Sequence, residues 1–165
     1  MKKLNKKGFT LIELLAIIVI LAIIMVVTIP NILDMLGSAT EKEFKNSANA
    51  IEKWVSDQYT LAVVGNASST FTAVCGKTGS SCKGTNKELH TTTTTGEGDD
   101  AVTTITMGAD AKAFLKAAGQ KADNYSEVIV NVDPGSNRVC VQIKPSTTGD
   151  FSGVSATDYT KSNGC

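Results

Sequence analysis

The stretch KKGFTLIELLAIIVILAIIMVVTIP, residues 6–30, decides how the rest of this 165-residue chain is organised. Between Phe9 and Ile29 the only charged side chain is that of Glu13. An α-helix of about 21 residues spans roughly 30 Å, the thickness of the hydrocarbon core of a bilayer. The sequence therefore predicts a membrane-spanning helix over residues 9–30. Its carboxylate needs an explanation, because a charge inside a bilayer costs about 2.5–3.5 kcal/mol even on lenient scales.

The charges on either side of this stretch predict its orientation. Residues 1–8 hold four of the 16 basic side chains and none of the 16 acidic ones, so the rest of the chain carries a net charge of −4. Because lysines concentrate on the cytosolic side of a membrane, we expect the N-terminus to stay in the cytosol and the rest to be exported. The acidic remainder argues against nucleic-acid binding by bulk charge.

The apolar segment has the features of a retained helix and not those of a cleaved secretory signal. A signal peptide has a shorter apolar core followed by small residues at the cleavage site. Here the core is long and ends in MVVTIPNIL, which contains no Ala-x-Ala pattern. We therefore expect the segment to remain in the mature protein.

After Pro30 the pattern becomes amphipathic. Apolar residues recur at steps of three and four, as on one face of a helix. They are Phe44, Ala48, Ile51, Val55, Tyr59 and Ala62. Pro30 and Gly37 predict a bend or a local weakening, not necessarily a break, and Gly65 provides a stop signal. The sequence predicts one helix from Phe9 to about Val64, with an apolar half and an amphipathic half over residues 31–65.

Residues 66–165 have a different composition, with Ser and Thr at 26 of 100 positions. The β-branched runs at 126–132 and 138–144 flank DPGSN and predict a hairpin. Residues 101–107 are a weaker strand candidate, 109–118 a short helix, and the tract HTTTTTGEGDD at 90–100 a surface loop. Residues 66–165 contain too few large apolar residues to form a core alone. We predict an α+β fold in which the long N-terminal helix packs against a small antiparallel sheet.

Four cysteines lie on the side predicted to be exported: Cys75, Cys82, Cys140 and Cys165. They indicate two disulfides, with three possible pairings. The spacing makes Cys75–Cys82 and Cys140–Cys165 the simplest pairing. The rival interpretation is a zinc site built from Cys75, Cys82 and His90, although the Cys-x6-Cys spacing is wider than that of a typical zinc knuckle.

No pattern typical of an enzyme occurs, so we do not expect catalysis. His90, the only histidine, stands in a threonine tract and is expected to be a solvated loop residue. Trp54 and Tyr59 are expected to pack in the core. Five aspartates leave a calcium site open, none with EF-hand spacing. They are Asp99, Asp100, Asp133, Asp150 and Asp158.

Two further surface features are weak signals. Asn66 and Asn124 begin Asn-x-Ser patterns that match N-glycosylation acceptors, as many unmodified loops do. A small lysine cluster is more typical of solvated surface than of a binding patch. It comprises Lys77, Lys83 and Lys87.

The N-terminal residues Lys6-Lys7-Gly8-Phe9-Thr10-Leu11-Ile12-Glu13 resemble the processing site of type IV prepilins. The shared features are a short basic leader, Gly at the cut, Phe after it, Glu five residues into the mature chain and a long apolar run. Pro30 matches the proline that commonly follows that run. The sequence resemblance covers roughly residues 1–35. The predicted architecture, a long helix with a small sheet, is also similar to that of this family.

The resemblance implies that a prepilin peptidase cuts between Gly8 and Phe9 on the cytosolic side and methylates the new amine of Phe9. It also implies that Glu13 meets the N-terminal amine of an adjacent subunit and sets the register of a filament. The implied partners are other copies of the chain and other pilins, the peptidase, an assembly platform with its ATPase, and the membrane before assembly. It implies no cofactor and no specific nucleic acid.

Three functions follow from these observations. The first is a structural subunit of a type IV pilus, moving from the cytoplasmic membrane into an extracellular filament that serves adhesion, aggregation, twitching motility or DNA uptake. The second is a pseudopilin of a type II secretion or competence system. The third is an anchored protein that never polymerises, in which Glu13 lies solvated at the membrane interface.

One departure from the family concerns the glycine that many members carry within the apolar run, because Ala22 stands there instead.

Overall fold

The computed structural model describes residues 9–96, 101–155 and 157–165. The chain divides into two compact units, the first ending at Ser38 and the second running from Ala39 to Cys165. One helix, α1 (Leu11–Val63), contributes residues to both units and continues through Pro30 and Gly37. This confirms the prediction of one long N-terminal helix.

The second unit, here called the head, adds two short α-helices, a 3-10 turn (Ala122–Asn124) and six strands to α1 within the described residues. In chain order the α-helices and strands are α2 (Ser69–Cys75), β1 (Lys87–Glu88), β2 (His90–Thr95), β3 (Val102–Met107), α3 (Ala109–Ala117), β4 (Tyr125–Val132), β5 (Val139–Pro145) and β6 (Thr160–Lys161). The predicted hairpin and the predicted helix at 109–118 are present. Helix α2, which begins after the N-cap Ser68, was not predicted.

The main sheet has the strand order β1-β4-β5-β6, with antiparallel neighbours. Its buried face is made by alternate residues that pair directly across β4 and β5. The pairs are Val128 with Ile143, Val130 with Val141 and Val132 with Val139. All six side chains are buried, as expected for residues that share one face of a sheet.

The core of the head forms where this sheet packs on the predicted stripe of α1. All six stripe residues are buried, and Ile51 and Val55 are completely inaccessible to solvent. Aromatic pairs add to this core: the ring centroids of Phe44 and Phe151 lie 5.1 Å apart, and those of Trp54 and Phe114 lie 4.8 Å apart. The α+β fold, with a helix on a small antiparallel sheet, is therefore confirmed.

The prediction of a surface loop at residues 90–100 was wrong over its first part. His90–Thr95 is strand β2, which pairs with β3 in a separate antiparallel ribbon. The physical reason is that threonine is β-branched and favours extended backbone, so a run of it pairs readily despite its low complexity. Residues 97–100 lie outside the described part of the chain.

His90 was also predicted wrongly, because its side chain is buried and not solvated. Its Nδ1 lies within hydrogen-bond distance of the backbone of Val128, at 3.3 Å from the amide nitrogen and 3.4 Å from the carbonyl oxygen. Nε2 in turn lies 3.8 Å from a carboxylate oxygen of Glu88 and 3.8 Å from one of Glu127. His90 therefore fixes the base of the ribbon to the main sheet.

Glu127 is the centre of the polar cluster beside His90. Burial alone would raise the pKa of its carboxyl group, but hydrogen bonds from the hydroxyl of Tyr159 and from Nζ of Lys144 outweigh burial and lower that pKa. Burial, together with the hydrogen bond and charge of Glu127, raises the pKa of Tyr159 to about 12. Both shifts favour an ionised carboxylate held by a neutral phenol.

The C-terminal tail fastens the sheet to α1. The N–H of Asn163 donates to Oδ1 of Asn49, and the N–H of Gly164 donates to a carboxylate oxygen of Glu52, both at 2.9 Å. A Cβ atom on Gly164 would lie 1.8 Å from the carbonyl oxygen of Val139 and 3.0 Å from the Glu52 carboxylate carbon. Only glycine therefore fits where the tail passes between strand and helix.

We expect Gly164→Ala to destabilise the head, because the added methyl group must push the tail away from Val139 and Glu52. The free energy of unfolding should fall by about 1–3 kcal/mol, the usual cost of overpacking. Fluorescence of Trp54, the only tryptophan, would follow urea unfolding of the full chain in detergent micelles. Gly153→Ala is the matched control, since nothing lies within 4 Å of a Cβ at that position. Equal unfolding midpoints for the two variants would contradict this account of the tail.

The lowered pKa of Glu127 predicts a specific sensitivity to acid. The stability from this group is present above the ordinary carboxyl pKa of 4.5 and is lost as the pH falls through the lower pKa of the folded state. The variant Glu127→Gln should therefore be less stable than wild type at neutral pH and lose less stability below about pH 4.5. The measurement is the urea midpoint as a function of pH. The exposed Glu41→Gln should keep the wild-type profile, and an unchanged profile for Glu127→Gln would refute the role of the cluster.

Candidate functional site: the N-terminal segment

The first part of α1 presents apolar side chains on every face. All described residues from Phe9 to Leu36 are exposed, and Phe9 itself is 80% accessible. The most apolar window of the helix has a mean hydropathy of 3.2 and no buried residue. By length and composition this segment is able to cross a membrane. A surface of this kind is covered either by lipid or by other protein chains.

Thr10 and Glu13 form a capping box at the start of α1. The carboxylate of Glu13 accepts hydrogen bonds from the backbone N–H of Thr10 at 2.8 Å and from its hydroxyl at 2.9 Å. The N–H of Glu13 lies 3.4 Å from the Thr10 hydroxyl oxygen, which completes the reciprocal arrangement. Sequence reasoning considered only the charge of Glu13 and missed this role. The signal for it was the Thr-x-x-Glu spacing before an apolar run.

This arrangement leaves part of the carboxylate available for a further contact. Both hydrogen bonds from Thr10 fall on Oε2 of Glu13, and Oε1 has no hydrogen bond within the described residues. A second donor or a cation therefore has room at Oε1 while the cap stays intact. Phe9 directly precedes Thr10, so an amine created at Phe9 would belong to the residue next to the one whose N–H this carboxylate accepts.

Pro30 lies inside α1 and does not interrupt it. A proline has no N–H to donate to the carbonyl four residues earlier. On either side of it, the hydroxyl of Thr28 donates to the carbonyl of Ile24 at 2.9 Å, and the side-chain amide of Asn31 donates to the carbonyl of Val27 at 3.4 Å. These bonds add side-chain donors to the helix where the backbone ladder loses one. Ala22 likewise lies within the helix.

The cysteines form the two bridges that the spacing favoured. Cys75 pairs with Cys82, and Cys140 pairs with Cys165. The first bridge joins the end of α2 to the following loop and is buried; the second joins β5 to the C-terminal tail. The alternative zinc site was wrong, because both of its thiols are oxidised to a disulfide and the His90 ring is bonded to the sheet.

The other candidate sites are not assembled in the described part of the chain, where no cluster of three metal-ligating side chains occurs. The carboxylate of Asp150 is bonded to Nζ of Lys121 at 2.8 Å, and that of Asp133 to its own turn. Asn124 is buried, and its side-chain oxygen accepts a hydrogen bond from the backbone N–H of Asp150, so this asparagine has a structural role and is not presented as a glycosylation acceptor. Asn66, in the other Asn-x-Ser pattern, is exposed. Asp99 and Asp100 lie outside the described residues.

The lysine cluster divides between the surface and an aromatic contact. Lys77 and Lys83 are exposed and Lys87 is partly covered. The ammonium of Lys83 lies 6.0 Å from the centroid of the Tyr59 ring, at the outer limit of a cation–π contact. Nothing in this arrangement forms a continuous basic surface.

Comparison with known proteins gives one match, and it falls on the segment just described. No curated protein and no solved structure matches the chain. Among family models, the prokaryotic N-terminal methylation motif matches residues 3–29, which include Phe9, Glu13 and most of the apolar run. Gly8 also falls within the match but lies outside the described residues. The N-terminal segment therefore carries the prokaryotic N-terminal methylation motif, the hallmark of type IV pilins and pseudopilins.

Proposed function

We propose that this protein is a structural subunit of a type IV pilus. It would be stored in the cytoplasmic membrane by its apolar helix, cleaved between Gly8 and Phe9, methylated on Phe9 and assembled into an extracellular filament. The observation that carries the proposal is the coincidence of the methylation motif with a helical segment that is apolar and exposed on every face. Such a segment can exchange lipid for the same segment of other subunits. The role is structural and requires no catalysis.

Glu13 has a defined task in this proposal. Cleavage creates a positive amine at Phe9, and a carboxylate buried among apolar helices is costly unless it is paired. Because Oε1 has no hydrogen bond within the described residues, it is able to receive the amine of an adjacent subunit while Thr10 still holds Oε2. A pair of this kind forms at only one axial position, so it would fix the register of the filament. The assembly platform and its ATPase would supply the work of extraction.

A pseudopilin of a type II secretion or competence system is the second candidate, since it would carry the same motif. The two disulfides favour the pilus. One of them ties the C-terminal tail to β5, and the same tail is bonded to α1. A covalent tie at this point resists pulling where a small core does not, which suits a filament exposed to load outside the cell. Adhesion, aggregation, twitching motility and DNA uptake all remain compatible with such a filament.

Mass spectrometry of the N-terminus tests the proposal directly. In filaments sheared from cells that produce the protein, we expect the chain to begin at Phe9 and to carry one added methyl group. The membrane fraction of the same cells is the comparison. A processed end confined to the membrane would favour a pseudopilin or a rare minor subunit. An intact Met1 end in both fractions would refute processing and leave an ordinary anchored protein.

The two roles of Glu13 can be separated by substitution. Glu13→Gln keeps an acceptor that suits the capping box but removes the charge, and Glu13→Leu removes both. Thr10→Ala removes the cap, at a cost of about 1 kcal/mol, and keeps the charge. Since breaking a buried ion pair costs about 3–5 kcal/mol, incorporation of both Glu13 variants into filaments should fall more than about tenfold.

Incorporation is measured as the amount of protein in sheared filaments relative to the membrane fraction. Thr10→Ala serves as the control and should assemble at close to the wild-type level. Normal assembly of Glu13→Gln together with poor assembly of Thr10→Ala would show that the carboxylate only caps the helix. Normal assembly of all three variants would show that neither Thr10 nor Glu13 contributes to polymerisation.

A further inference from the structure

The ribbon of β2 and β3 leaves both of its outer edges unpaired within the described residues. The two strands pair only with each other, over six residue pairs that run from His90–Met107 to Thr95–Val102. Beyond the base at His90 and Met107, every residue of the ribbon is exposed. A two-stranded ribbon that buries neither face is marginally stable alone, and its free N–H and C=O groups are a template for another strand.

The main sheet of the same head shows how edges are protected in this protein. Its edge strands, β1 and β6, are two residues long and carry charged side chains, namely Lys87 and Glu88 in one and Lys161 in the other. Short, charged edges prevent pairing with other chains. The ribbon has strands of six residues, and neither Thr91–Thr95 nor Val102–Met107 contains a charged residue or a proline. The protection applied to one sheet is absent from the other.

The composition of the ribbon suits pairing with an identical ribbon. Five threonines in β2 and three in β3 are β-branched and uncharged, so two copies approach without repulsion. Val102 and Ile105 are 61% and 38% exposed and add apolar area that a second copy would cover. A charged partner would gain no salt bridge from these strands.

We propose that the ribbon pairs edge to edge with the ribbon of a second copy of this chain and thereby holds filaments side by side. This inference rests on the proposed pilus function. One six-residue edge contact buries far less than the roughly 1,000 Å² that a stable specific interface needs. A single pair of chains therefore does not stay together through it. A filament repeats the contact many times, and the linked contacts add up to lateral adhesion.

A single charge on the ribbon tests the proposal. Thr93→Lys and Thr104→Lys, made separately, place an ammonium group near the middle of β2 or β3. In a bundle the added lysines of paired copies would repel one another. Thr78→Lys is the matched control, because it adds the same charge at an exposed position of the head outside the ribbon. Sheared filaments are compared by low-speed sedimentation and electron microscopy.

We expect wild-type and Thr78→Lys filaments to sediment as bundles. Filaments of at least one ribbon variant should disperse, with the concentration required for bundling raised about tenfold or more. Filament yield should be equal throughout, which shows that the variants fold and assemble. In wild-type bundles, amide hydrogen exchange of residues 91–95 or 102–106 should be slower than in dispersed filaments, because new backbone hydrogen bonds protect those amides.

Four outcomes would overturn the inference. They are wild-type filaments that remain single, ribbon variants that both bundle like wild type, Thr78→Lys filaments that disperse equally, and ribbon amides that exchange at the same rate in bundled and dispersed filaments. Each leaves the pilus function standing, because filaments are present in all four. If wild-type cells produce no filaments containing the chain, the proposed function itself fails, and that failure is recognised before any variant is compared.

Discussion

The head depends on the burial of one stripe of α1 beneath a four-stranded sheet. The sheet offers six aliphatic side chains from β4 and β5, and α2 and α3 add only a few more. Without the helix, these side chains would have no second layer to pack against. The same helix begins with a segment whose every face is apolar and exposed. One continuous element therefore supplies both the second layer of a small core and an apolar surface that lipid or other protein chains would cover.

The elements that the sequence predicted well are those with a strong period. The stripe of α1 repeats at helical spacing, and the strands on either side of DPGSN alternate around a turn whose Asp133 carboxylate accepts the N–H of Gly135 at 3.0 Å. In both cases local propensity and tertiary packing favour the same structure. The Thr-x-x-Glu spacing of the capping box is also present in the sequence, but Glu13 was interpreted only by its charge.

The features that were missed depend on contacts distant in sequence. His90 is buried because β2 begins beside β4, and no pattern within a threonine run indicates that its imidazole contacts the backbone of Val128. Helix α2 is a short, β-branched segment, STFTAVC, which becomes helical where Ser68 caps it and Gln58 of α1 accepts the N–H of Ser68 at 2.9 Å. The C-terminal tail has no periodic pattern of apolar residues. Its position follows from the disulfide and from two side chains of α1.

The burial of the Cys75–Cys82 bridge has a consequence for the timing of biogenesis. Both sulfur-bearing residues have no solvent-accessible surface in the folded head. The two thiols are therefore accessible to an oxidant before the head has folded around them and not afterwards. Once the head has folded, dissolved reductants are excluded from the bond in the same way. Formation of this disulfide is thus coupled to folding of the head, and the folded head shields the bond from later changes in the redox state of its surroundings.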